Sequence, residues 1–160
     1  MVYYHAHCLD GFAAAYVAWK SLGSTADYRG LQHGDSWQDE EIRGRHVYVL
    51  DFSFSPAAVE LMLELAESVT ILDHHVTAKR EWEIRPPGPE NLFLKFELSQ
   101  SGAGLAWRHF YPDQACPRLL LLVEDQDLWR FKFPESRPIA AAIHQQAFTF
   151  ERWDILIQAC

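Results

Sequence analysis

Residues 69–77 read VTILDHHVT, four residues suited to a buried strand running straight into an aspartate and two histidines. Branched aliphatic side chains fit a pleated, enclosed surface. Carboxylates and imidazoles bind ions and protons and contribute little to an apolar core. A strand that ends in such groups presents them at its C-terminal edge, where ligands bind in open α/β sheets.

The same pattern recurs upstream. VYYH (2–5) reads as a strand and is followed by AHCLDG; HVYVL (46–50) reads as a strand and is followed by Asp51. Between them lie the alanine-rich helix GFAAAYVAWKSL (11–22) and a weaker strand at 26–32. After SFSP, Val59, Met62, Leu63 and Ala66 recur at helical spacing, with Pro56 suited to a first helical turn. Strands alternating with amphipathic helices predict an α/β fold, a mainly parallel, Rossmann-like sheet with helices on both faces. In such a sheet His5, Asp10, Asp51, Asp73, His74 and His75 fall along one edge, an arrangement suited to a first-row divalent ion. EIRPPGPEN (83–91) excludes regular structure. Beyond it the sequence predicts a strand at 92–98, a helix from Ser101 to Pro112, a helix over 117–131 and a helical tail.

A chain of 160 residues, 49% apolar and 22% charged, suits one soluble domain. LLLLV (119–123) is too short to cross a bilayer and MVYYHAHC lacks the features of a signal peptide, so the expected location is cytoplasmic, without membrane. Cys8, Cys116 and Cys160 are an odd count without zinc-type pairing, which predicts free thiols. A net charge of -8 argues against a duplex nucleic-acid surface. A homodimer is compatible with the sequence.

DHH after an IL strand, Asp51 in VYVLDFSFS and the N-terminal YHAHCLDGFAAA together resemble the DHH phosphoesterases. That family includes single-strand exonucleases of the RecJ type, nano-RNases, pAp phosphatases and family II pyrophosphatases. SGAGLAW (101–107) and EDQDLWRF (124–131) extend the resemblance over nearly the whole chain, as a single catalytic domain over 1–160 without the family's usual second, substrate-binding domain. The resemblance implies a phosphohydrolase with two Mn ions (Mg, Co or Zn being alternatives) sharing a bridging water. It implies His5 and Asp10 on one ion, Asp51 bridging, and His74 with Asp125 on the other; Asp127 is the alternative to Asp125. His75 would face the substrate phosphate and Asp73 would orient an imidazole. Relatives carry a second aspartate where Cys8 or Phe12 stands here, so the first ion either has fewer carboxylates or takes His7 or Cys8 instead.

The expected substrate is a small phosphorylated molecule, a nucleotide or short single-stranded oligonucleotide. Candidates for contacting it are Ser101 and Gly102, through free N–H groups at a helix start, then Arg130, Lys79 and Arg80, with Trp129 and Phe131 for base stacking. Ordinary capping explains Ser101 and Gly102 equally well. A phosphoanhydride hydrolase and a catalytically weak nucleotide-sensing domain are the alternative readings.

Overall fold

A computed structural model describes residues 1–160. Five strands form one sheet: β1 (Val2–His5), β2 (Tyr28–Leu31), β3 (His46–Leu50), β4 (Ser68–Asp73) and β5 (Leu92–Phe96). The order is β2-β1-β3-β4-β5 and every pairing is parallel. The helices are α1 (Leu9–Leu22), α2 (Asp39–Ile42), α3 (Pro56–Leu63), α4 (Val76–Glu83), α5 (Gly102–Phe110), α6 (Arg118–Asp127), α7 (Ser136–His144) and α8 (Phe150–Ala159). The architecture is therefore α/β and Rossmann-like.

Side-chain alternation along the strands divides the interior into two layers. Val2, Leu50 and Leu72 point into one core with α1, α5, α6, α7 and α8. Tyr3, Val47, Val49, Val69 and Ile71 point into the other, which Ile42 of α2 and Val59 and Met62 of α3 close. The first crossover moves outward from β1 and the later ones outward from β3 in the opposite direction. Crossovers of one hand then place their helices on opposite faces. The reversal falls between β1 and β3, the switch point at which doubly wound sheets open a crevice beyond their strand ends.

The predicted strands all form. The helical tail does not run unbroken: α7 ends at His144 and α8 starts at Phe150, where the Thr149 hydroxyl accepts the Arg152 N–H. The break lets Phe148 and Phe150 fold onto Phe12, at 5.1 Å between ring centroids in each case, with Trp153 fully buried behind them. α6 stops at Asp127, short of the expected 131, and Trp129 and Phe131 then take left-handed backbone conformations, with φ of 51° and 47°. No helix is long and apolar enough to cross a membrane.

Candidate metal centre

Three of the five strand ends deliver groups to the crevice. β1 ends on His5; β3 is followed by Asp51; β4 ends on Asp73, with His74 and His75 next. Cys8 stands just before α1, α1 brings Asp10, and α6 brings Asp127 at its last position. Asp51, directly after β3, adopts a left-handed backbone conformation with φ 53°. A non-glycine residue in that region costs about 1–3 kcal/mol, and such strain gathers at functional sites.

Two close approaches bring the layers together. A Cβ on Gly11 would lie 2.3 Å from the His5 carbonyl oxygen, so only glycine lets the first turn of α1 settle on the end of β1. A Cβ on Gly102 would lie 2.4 Å from the Asp51 Cβ, so glycine also admits the start of α5. There the Gly102 and Ala103 N–H groups donate to the two oxygens of Asp10, at 2.5 and 3.0 Å.

The His74 Nε2 sits 3.0 Å from Asp51 Oδ1, 3.5 Å from Asp127 Oδ2 and 3.7 Å from Asp10 Oδ2. On the other side of Asp51, Oδ2 lies 3.5 Å from the His5 Nδ1, and the Cys8 sulfur belongs to the same group. Ligand atoms about 2.0–2.1 Å from one octahedral ion stand about 3 Å apart, close to the shorter of these separations. Three buried atoms in the cluster have no hydrogen-bond partner: His5 Nδ1, Asp51 Oδ2 and Asp127 Oδ2. Orphaned buried polar atoms are costly and rare. Three sets of ligand atoms lie within 4.8 Å of one another: His5, Cys8 and Asp51; Asp51, His74 and His75; and Asp10, His74 and Asp127, so that Asp51 joins the first two, His74 joins the last two, and divalent cations fit between them.

The electrostatics agree. Burial, then the charges of Asp51 and Asp127, push the Asp10 carboxyl well up; burial and Asp51 raise Asp127 likewise. Burial would also raise Asp51, but the His5 and His74 rings beside it outweigh that and hold it at about 2. Burial disfavours a charged His74, yet the Asp51 hydrogen bond and the surrounding carboxylates raise it to about 9. Burial, reinforced by Asp51, pushes the Cys8 thiol up to about 12. The Asp10 and Asp127 carboxyls are thus penalised for ionising beside Asp51, the condition a bound cation relieves.

Asp73 does not face the cluster. It accepts from the His74 N–H, the Ser53 hydroxyl and the His75 ring, with His75 Nδ1 2.6 Å away. The hydrogen bond to Asp73 first, then its charge, raises the His75 pKa. That contact fixes Nδ1 and leaves the opposite ring nitrogen as the group His75 can offer to a ligand. A hollow of about 50 Å³ lies between His5, His33, Asp51, Asp73 and His75.

Three expectations need correction. Asp125 is not in the cluster: its oxygens accept the Lys132 and Phe133 N–H groups at 2.9 and 3.2 Å and the Ser136 hydroxyl at 2.5 Å, tying α6 to α7. Asp127 stands there instead. Asp10 groups with His74 and Asp127 rather than with His5. Among the substrate candidates, Ser101 is fully buried and caps its own helix, and Gly102 donates to Asp10. Arg130 is held by Glu124 and the Ser99 carbonyl. None of these three is free for a ligand.

The sequence does not single out Arg137, and His33 is an exposed loop residue beyond β2 that comes near the site. The His33 ring lies 5.9 Å from the His5 ring, tilted to it by 59°. Arg137 lines a cleft of about 610 Å³ beside the cluster and lies 3.9 Å over the Phe131 ring. Cys8, Asp10 and Asp127 form the floor of that cleft and Trp129, 75% exposed, forms its rim. Nothing local in the sequence marks Arg137, because α7 reaches the cleft only through the tertiary fold.

No family model matches the sequence. The chain is 28% identical, over 172 aligned positions, to an uncharacterised protein of Acanthamoeba polyphaga mimivirus. The match takes in 99% of this chain and 40% of that relative, so the chain spans about two-fifths of the viral protein's length.

Proposed function

We propose that this chain is a divalent-metal phosphohydrolase of the kind its motifs resemble, acting on a phosphoester of a nucleotide or short single-stranded oligonucleotide. One observation carries the reading. The unpartnered atoms His5 Nδ1, Asp51 Oδ2 and Asp127 Oδ2 lie in a run of three ligand groups linked through Asp51 and then His74. Asp51, His5 and Cys8 or a neighbour would hold one ion, and Asp10, Asp51, His74 and Asp127 the other. Two such ions would neutralise phosphoryl oxygens and ease ionisation of a water for in-line attack.

The protein's own groups set the rest. Asp73 locks the His75 ring so that its free nitrogen points toward a phosphate lying over the cluster, where a protonated imidazole donates to a phosphoryl oxygen. The N-terminus of α5 holds Asp10 through two N–H groups, keeping its carboxylate oriented without a cation from a side chain. The cleft is of the size that takes a small ligand. Its exposed Trp129 suits the face of a base. Arg137 is the one Lys or Arg lining it, which favours a single ester phosphate over a polyphosphate chain.

Turnover of an aryl phosphodiester and of short oligonucleotides with added Mn tests the reading against His74→Ala. A fall on the order of a hundredfold or more is expected, since even groups that only support a ligand cost 10–100-fold. Equal rates in the two proteins would refute it.

A further inference from the structure

We propose that Cys8 supplies a thiolate ligand to the ion held by His5 and Asp51, which makes the two halves of the cluster chemically unequal. That half takes a thiophilic ion such as Zn(II) or Co(II), while the Asp10–His74–Asp127 half, with three of its four groups carboxylates once Asp51 is counted, suits a harder ion such as Mn(II).

Cys8, His5 and Asp51 each offer one ligand atom, and all three lie within 4.8 Å of one another. A cysteine near a carboxylate would mean little alone. Here Asp51 is 1% exposed and its Oδ2, the oxygen turned to His5, has no hydrogen-bond partner, while Oδ1 is already engaged by His74. The His5 Nδ1 facing it is equally unpartnered. The pair therefore points at an occupant from two sides, and Cys8 stands on the third. Ligand atoms bonded to one tetrahedral ion at about 2.0 Å for nitrogen and oxygen and about 2.3 Å for sulfur stand about 3.3–3.5 Å apart, and His5 Nδ1 and Asp51 Oδ2 are already 3.5 Å apart.

Cys8 has no side-chain partner, only the Gly11 and Asp10 N–H groups acting on its sulfur. It holds the position just before α1, where Ser, Thr, Asp or Asn would cap the helix, yet its side chain makes no capping hydrogen bond. Burial and the Asp51 charge keep the thiol protonated in the metal-free protein, so the ion must displace that proton to bind. His7, the other residue that could replace an aspartate, is exposed and in none of the ligand groups. On binding, the S–H bond breaks, the proton passes to buffer and the sulfur–metal bond forms, with no change of oxidation state. Three protein ligands leave the ion a further position open toward the cleft that Cys8 lines.

The proposal rests on the metal-centre reading, though not on phosphoester hydrolysis, so its test uses spectroscopy rather than turnover. The full chain is titrated with Co(II), together with Cys8→Ser, Cys8→Asp and a Cys116→Ser/Cys160→Ser double variant, following bound cobalt by equilibrium dialysis. A sulfur-to-cobalt charge-transfer band in the near ultraviolet is expected in the parent and in the double variant, and is expected to vanish in Cys8→Ser. Cys8→Asp should raise the ratio of Mn to Zn affinity by at least about tenfold, the smallest effect expected at a ligand given what its supporting groups contribute. X-ray absorption of the Zn-loaded parent should show one sulfur at about 2.3 Å, a readout independent of whether any variant folds. A cobalt-loaded parent without the band, or a band that survives in Cys8→Ser, overturns the assignment and leaves the phosphohydrolase reading intact. Failure to bind cobalt at all overturns both.

Discussion

Asp125 and Asp127 stand two residues apart in one helix, and their exchange for asparagine should produce opposite phenotypes. Asp125 accepts three hydrogen bonds, from Lys132, Phe133 and Ser136. Asparagine keeps one accepting oxygen and turns an NH₂ donor toward groups that are themselves donors. With hydrogen bonds to charged groups contributing about 1.5–3 kcal/mol each, Asp125→Asn should cost about 2–4 kcal/mol. In a domain of this size that lowers Tm by roughly 5–15 °C. Bound metal should be unchanged in whatever fraction folds. Asp127 makes no such bonds; burial and Asp51 already raise its pKa. Asp127→Asn removes a repelled carboxylate, so the metal-free Tm should hold or rise while affinity for the second ion falls by at least about tenfold. Thermal denaturation without metal, paired with Mn titration by calorimetry, separates the two effects. A stable Asp125→Asn protein that loses an ion, or an Asp127→Asn protein of full affinity, would refute the assignment.

Gly102→Ala places a Cβ 2.4 Å from that of Asp51 and should destabilise by about 1–3 kcal/mol while weakening metal binding, both measurable by urea unfolding with and without Mn. Metal affinity should climb with pH up to about 9, because His74, raised to about 9, must lose its proton to coordinate. Calorimetry in buffers of different ionisation enthalpy should show protons released at pH 7. In the metal-free protein the sign is the reverse: His74's pairing with its carboxylates stabilises the fold fully below the ordinary imidazole value of about 6.5 and is lost as pH rises through about 9. Trp153→Ala empties the middle of the α1–α8 packing and should cost about 3–5 kcal/mol by chemical denaturation.

The sheet and its edge were legible because they rest on local pattern. Apolar runs ending in Asp or His mark β1, β3 and β4, and parallel pairing alone then aligns His5, Asp51 and Asp73. What failed depended on distant partners. Residues 125 and 127 differ by about 200° around a helix, so only one can face the cluster. The apolar residues flanking them, Leu119, Leu120, Leu122 and Val123, are all buried and give no rotation by inspection. Ser101 and Gly102 carried a correct helix-start signal, but the acceptor for those N–H groups is Asp10, 92 residues away. Arg130 looked free because its partners, Glu124 and Ser99, come together only after α6 docks. The α7–α8 break had a weak cue in Thr149 as a cap, with no Pro or Gly to reinforce it. α4 was not foreseen because none of its residues is buried, so its sequence carries little of the apolar face that signals a helix.

The most direct measurement is anomalous scattering from a crystal of the full chain soaked in Mn and, separately, Zn. Two peaks sharing Asp51 are expected, one among His5, Cys8 and Asp51 and the other among Asp10, His74 and Asp127. A single peak that does not touch Asp51, or no peak at saturating metal, would contradict a dinuclear centre at this sheet edge.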